Sequence, residues 1–91
     1  MAVYVDPILD HGWRHGPSCH MFTDEVSLDN LHALAARIGL RQAWFQLAVR
    51  APHYDLTRDL RRAAIEAGAI ALNRREAVAA WKVRRLALAE P

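Results

Sequence analysis

Short β-prone runs alternate with amphipathic stretches along this chain, and glycine, proline or asparagine separates most of them. Val3-Tyr4-Val5 ends at Asp6-Pro7, Gly39 and Gly68 each follow a helical pattern, and Asn73 precedes the last one. Each segment must bury one face against another segment, because none is long enough to fold alone. The pattern therefore limits the chain to a small mixed fold of helices and strands.

The order of segments predicts an α/β or α+β domain, with a short sheet of about three strands packed with about three helices. Residues 41–49 carry no clear period and are ambiguous between helix and strand. The predicted strands are residues 3–5, 20–22 and 69–72, and the predicted helices are residues 28–38, 57–67 and 74–89.

Size, cysteine content and the absence of long apolar stretches indicate the broad class of protein. The 91 residues are enough for one domain, residues 1–91, with one modest core. The single cysteine excludes an intrachain disulfide, and the start of the chain lacks the pattern of a secretory signal. No apolar stretch approaches the ~20 residues that cross a bilayer. We therefore expect a cytoplasmic protein that does not bind membranes.

Histidines and aspartates recur at short spacings. In an extended segment, His53 and Asp55 lie on one face, because side chains alternate with a period of two. The pair could ligate a divalent ion, or Asp55 could orient His53 as a base, with Tyr54 as a further catalytic candidate. His20 and Asp24 form a second group of potential ligands. The alternative for Asp55 is a cap on the helix that follows it.

Two further candidates have competing interpretations. Asp6 ends the first strand, where small sheets often place site residues, but it could equally be a turn residue before Pro7. His32 lies on the apolar stripe of the first helix. It could be a metal ligand, or it could be a partly buried histidine that is hydrogen bonded to a backbone carbonyl. Cys19 and His20 should point to opposite faces of their strand, which argues against a cysteine–histidine nucleophile pair. Histidine and aspartate ligands suit zinc, manganese or iron.

Blocks of residues in a fixed order carry a resemblance to a known family. They are Val-Tyr-Val-Asp6, Cys19-His20-Met21 with Asp24, Leu31-His32-Ala33, Trp44-Phe45, His53-Tyr54-Asp55 and Gly68-Ala69. Together they resemble the domain of unknown function 4031 family of small bacterial and phage proteins. The resemblance implies a compact stand-alone domain, and it supplies no substrate, cofactor or catalytic residue. It also implies that His20, Asp24, His32, His53, Tyr54 and Asp55 occupy family-pattern positions.

The positive charge is concentrated in the second half of the chain, although the net charge is only +2. Arg61, Asn73, Arg74 and Arg75 are candidate anion-binding residues, the last three at a strand-to-helix junction. The alternative is that these arginines form a solvated helix surface. An exposed Trp13 in the loop of residues 8–17 could stack on a base.

These observations lead to two functional hypotheses. The first is a pocket lined by histidine and aspartate that binds a divalent metal or a phosphorylated small molecule such as a nucleotide, with hydrolase-like chemistry. The alternative is a non-catalytic module that binds nucleic acid or an acidic protein through the arginine-rich half.

The distribution of apolar residues on the last predicted helix favours a homodimer. Val78 and Trp81 lie on one side of it, and Val83 and Leu86 lie on another. A domain of this size covers only one broad helix face with its own sheet. A two-fold dimer would cover the second face, unless that face packs within the same chain.

Overall fold

One mixed sheet forms the centre of the fold. The computed structural model describes residues 2–10, 12–47 and 51–89. Within these residues the elements in chain order are β1 (Val3–Val5), β2 (Ser18–Thr23), α1 (Asp29–Arg37), a 3-10 turn (Gln42–Trp44), β3 (Tyr54–Thr57), α2 (Arg58–Glu66), β4 (Ile70–Ala71) and α3 (Arg74–Ala89). The fold is α+β, as the order of sequence segments predicted.

The strands lie in the order β3-β2-β1-β4. β2 pairs antiparallel with both β1 and β3, whereas β4 pairs parallel with β1. The antiparallel register places Val5 opposite Met21 and His20 opposite Asp55. Directly opposed residues share one face of a sheet, so this register decides which side chains meet.

The two faces of the sheet build two separate apolar clusters. On one face, Val5, Met21 and Leu56 pack with α1 and α2 residues such as Leu31. On the other face, Phe22 packs with Ala77, Ala80 and Trp81 of α3. The Phe22 and Trp81 rings are stacked, with centroids 4.0 Å apart. The sheet is therefore covered on both sides, by α1 and α2 on one side and by α3 on the other.

The sheet has a strand that the sequence pattern did not predict. Residues 54–57 form β3, although the predicted strands did not include them and a helix was expected from residue 57. The cap of α2 is Thr57, whose hydroxyl accepts the amide of Leu60 at 3.3 Å. The interpretation of Asp55 as the helix cap is therefore wrong, and Asp55 lies within the strand.

The helix ends mostly follow the predicted signals. Gly39 adopts a positive φ of 87° just after α1, a conformation that glycine takes without steric cost. At the start of α3, Asn73 and Glu76 exchange hydrogen bonds between side chain and backbone, at 2.8 and 2.9 Å. This reciprocal pair is a capping box, and it confirms Asn73 as the cap.

The structure resolves part of the ambiguity between helix and strand in residues 41–49. The ambiguous pattern gives the 3-10 turn and an isolated bridge between Gln46 and His53, while residues 48 and 49 lie outside the described part of the chain. None of the helices in residues 2–10, 12–47 and 51–89 combines the length and apolar character needed to cross a membrane.

Candidate functional site

Three strands bring histidine and aspartate side chains together on the α3 face of the sheet. Asp6 directly follows β1, His20 lies in β2, and Asp55 lies in β3 opposite His20. His53 precedes β3 and shares the face of Asp55 because the two are separated by one residue. The period-two argument from the sequence therefore describes this pair correctly.

Asp6 holds the His20 ring in place with both carboxylate oxygens. Oδ1 accepts the backbone amide of His20 at 2.6 Å, and Oδ2 lies 2.8 Å from His20 Nδ1. An ionised carboxylate only accepts hydrogen bonds, so Nδ1 carries the hydrogen. The neutral ring then has its lone pair on Nε2. The hydrogen bond to Asp6 raises the pKa of His20 above its ordinary value, although burial opposes the shift.

His53 is fixed in the same tautomer by the backbone. Its Nδ1 lies 2.6 Å from the carbonyl oxygen of Ala51, and a carbonyl can only accept, so Nδ1 is the donor. The lone pair of the neutral ring is on Nε2, which lies 3.4 Å from Asp55 Oδ1. The His53 and His20 rings meet edge to face, with centroids 4.7 Å apart.

Asp55 completes the cluster. Its Oδ2 accepts a hydrogen bond from the side-chain amide of Gln46, while Oδ1 lies 4.0 Å from His20 Nε2. One ligand atom each from His20, His53 and Asp55 lies within 4.8 Å of the others, a separation at which the three could hold one metal ion. No sequence signal pointed to Gln46, because its backbone bridge to His53 brings it here.

Two cavities meet this cluster. The first, of about 400 Å³, is lined by His20 and His53 together with Asp6, Arg74 and Trp81. The second, of about 590 Å³, has Asp55 and Gln46 in its wall. Arg74 is the predicted anion-binding residue that the structure brings to the histidines.

Three of the predicted site residues lie elsewhere. Asp24 follows β2 and accepts a hydrogen bond from the Tyr4 hydroxyl at 2.9 Å. His32 and Tyr54 are hydrogen bonded to each other at 2.7 Å on the α1 side of the sheet. Tyr54 is 1% exposed and belongs to the apolar cluster there. The structure therefore does not bring Asp24, His32 or Tyr54 to the histidine and aspartate cluster.

The remaining anion-binding candidates have separate surroundings. Arg61 Nε donates to the backbone carbonyl of Asp6 at 2.9 Å, and Asn73 caps α3. Arg75 is exposed in the first turn of that helix. Arg61 thus supports the strand end that carries Asp6, from the side of α2.

Cys19 lies behind the cluster and not in it. It is 0% exposed, and burial is the main cause that raises the pKa of its thiol to about 12. A thiol in this state is neutral at physiological pH and a poor nucleophile. The expected separation of Cys19 and His20 onto opposite faces is confirmed.

Comparison with known proteins places the chain in one family. A family model described as "Protein of unknown function (DUF4031)" matches residues 3–84, which include the whole histidine and aspartate cluster. No curated protein and no solved structure matches the chain. Because the match covers nearly all of the sequence, and agrees with the resemblance of the residue blocks, this chain belongs to the DUF4031 family.

Proposed function

We propose that the chain binds a divalent metal ion through His20 Nε2, His53 Nε2 and Asp55 Oδ1. The observation that carries the proposal is the convergence of these three electron-pair donors, each oriented by a hydrogen bond on its far side. Imidazoles fixed by a carboxylate or a carbonyl in this way are typical of metal sites. A cation would also relieve the repulsion between the lone pairs of His53 and Asp55.

The distances favour a tetrahedral ion such as zinc over the other candidates, manganese and iron. Two ligand atoms on one tetrahedral zinc, with bonds of about 2.0–2.1 Å, lie about 3.3–3.4 Å apart. The observed separations from Asp55 Oδ1 are 3.4 Å to His53 and 4.0 Å to His20. The separation of His53 from Asp55 already fits this geometry, and the other ligand atoms would move closer together when the ion binds.

The proposed ligand is an anionic small molecule, such as a phosphate ester. Three protein ligands leave one position of a tetrahedral zinc open for water or substrate. The cavity of about 400 Å³ beside the histidines is also lined by Arg74, a residue type whose guanidinium is a good partner for phosphate oxygens. A metal-bound water next to an arginine-held phosphate supports hydrolase-like chemistry.

Zinc should raise the melting temperature of the untagged, metal-free protein. At a free concentration 100 times Kd, one bound ion stabilises the fold by about 2.7 kcal/mol. For a domain of this size, we expect a rise of about 10–20 °C in a thermal-shift assay. The His15→Ala variant is the control, since His15 is exposed and outside the cluster. No shift with zinc, manganese, iron or magnesium would exclude the metal site.

A second candidate function is nucleic-acid binding through α2. Arg58, Arg61 and Arg62 line one cavity of about 470 Å³, together with Glu66. Binding of this kind is driven by phosphate contacts, so affinity should fall steeply as salt rises. Between 50 and 200 mM salt, a protein that makes about 6–10 phosphate contacts loses ~10³- to 10⁵-fold in affinity. No measurable binding to a DNA or RNA duplex, or an affinity that does not change over this range of salt, would reject this candidate.

We also propose a two-fold dimer through α3. Trp81 is covered by Phe22, but Val83 and Leu86, one turn apart on the helix, are 54% and 57% exposed. A self-complementary contact would bury this stripe in both copies. Light scattering should give twice the monomer mass for the wild type and the monomer mass for Leu86→Glu. A wild-type monomer at every concentration would contradict the dimer.

A further inference from the structure

The second cavity at the cluster has an aromatic wall. Trp13, from the loop between β1 and β2, and Trp44, from the 3-10 turn, both line this space of about 590 Å³. The Trp44 side chain is 54% exposed. Tryptophan is the side chain with the most apolar area to bury, so two of them lining one open cavity require an explanation.

A neighbouring side chain contacts each of the two indoles. The Arg41 guanidinium lies 6.0 Å from the Trp44 ring centroid, within the range of a cation–π contact. The Trp13 ring meets His15 edge to face, with centroids 4.6 Å apart. Each indole thus has a contact within the protein and still lines the cavity.

The rest of the wall is polar. Gln46, Asp55 and Thr57 contribute amide, carboxylate and hydroxyl groups, and Arg14 adds a positive charge. Gln46 and Asp55 bond to each other and Thr57 caps α2, but each retains further donor or acceptor capacity that suits a polar ligand better than a purely apolar one. A planar ring with hydrogen-bonding edges would satisfy both the indoles and the polar wall, and nucleobases have this chemistry.

Asp55 belongs both to the wall of this cavity and to the proposed metal cluster. His20, His53 and Arg74 line the cavity of about 400 Å³. A ligand that extends across the cluster would have a base at one end and a phosphate at the other.

We propose that the aromatic cavity binds the base of a nucleotide whose phosphate lies at the metal cluster and Arg74. This inference rests on the proposed function, and it names the substrate class of the same site. Stacking on an indole contributes about 5- to 150-fold in affinity per base. The tryptophans set the preference for a nucleotide over a sugar phosphate.

The test compares ligands that differ by the base alone. Calorimetry of the zinc-loaded full chain is performed with the four nucleoside monophosphates, with ribose 5-phosphate and with inorganic phosphate. At least one nucleotide should bind tenfold or more tightly than ribose 5-phosphate. Trp44→Leu should remove that advantage, and Trp44→Phe should keep most of it. Leu47→Ala is the control, because Leu47 is exposed and does not line the cavity.

Equal affinity for nucleotides and ribose 5-phosphate would overturn the inference and leave the metal site standing. A second readout does not depend on the metal: nucleosides should quench the tryptophan fluorescence of the metal-free protein, and less so for Trp44→Phe. Absence of quenching by all four nucleosides would also overturn the inference. So would a dimer that Trp44→Leu dissociates, because the tryptophans would then form an interface between copies.

Discussion

Asp55→Asn is expected to lower the affinity for zinc more than 100-fold. The amide keeps the size of the side chain and can still accept the Gln46 hydrogen bond, but it removes the negative charge from the cluster. Loss of an outer partner of a ligand alone costs about 10- to 100-fold. Asp6→Asn should therefore fall in that lower range, because Asp6 acts through His20. Competition with a chromogenic chelator measures both affinities.

The matched control is Asp24→Asn. It makes the same chemical change in a carboxylate that is bonded to Tyr4 and lies outside the cluster. Zinc affinity of this variant should equal that of the wild type. Equal losses for Asp24→Asn and Asp55→Asn would indicate a general charge effect and would contradict the assigned ligands.

Phe22→Ala is expected to destabilise the fold by about 3–5 kcal/mol. Phe22 is fully buried and stacks on Trp81, so its removal opens a cavity between the sheet and α3. Total stability for a chain of this length is about 5–14 kcal/mol, so the variant would lose a large share of it. Urea denaturation followed by circular dichroism measures the free energy of unfolding.

Leu47→Ala provides the comparison, since Leu47 is 76% exposed. Its effect should stay within about 0.5 kcal/mol. A loss below about 1 kcal/mol for Phe22→Ala would mean that α3 is not held to the sheet through this stack.

The parts of the site that depend on local spacing could be predicted from the sequence. His53 and Asp55 share a face because of strand periodicity, and Asp6 directly follows β1, just before Pro7. The pairing of His20 with Asp55 required the register of β2 on β3, which is set by packing across the sheet. For the same reason, Asp24 and His32 could not be separated from the cluster by spacing alone.

Arg84 illustrates a second limit of sequence reasoning. The pattern of α3 favours a solvated arginine, yet Arg84 is 8% exposed and donates to the carbonyls of Glu25 and Val26, at 2.9 and 3.1 Å. These carbonyls lie 59 and 58 residues away in the chain, in the turn after β2. A contact of such separation leaves no trace in local charge patterning, and it removes one arginine from any phosphate-binding surface.

The β3 strand was hidden by competing local signals. Pro52 leaves the segment before it extended or turned, while Asp55 is a good helix cap. The strand forms because Tyr54 and Leu56 bury their side chains beneath α1 and α2, with 1% and 0% exposure. Tertiary burial therefore outweighed the capping preference and placed Asp55 in the site.

Anomalous diffraction from a crystal grown with zinc tests the metal site most directly. We expect one strong peak, recorded above the zinc absorption edge and absent below it, within about 2.0–2.2 Å of His20 Nε2, His53 Nε2 and Asp55 Oδ1. A zinc peak held by Asp24, His32 or His15 instead, or no peak at the cluster in a crystal that contains the ion, would contradict the proposed site.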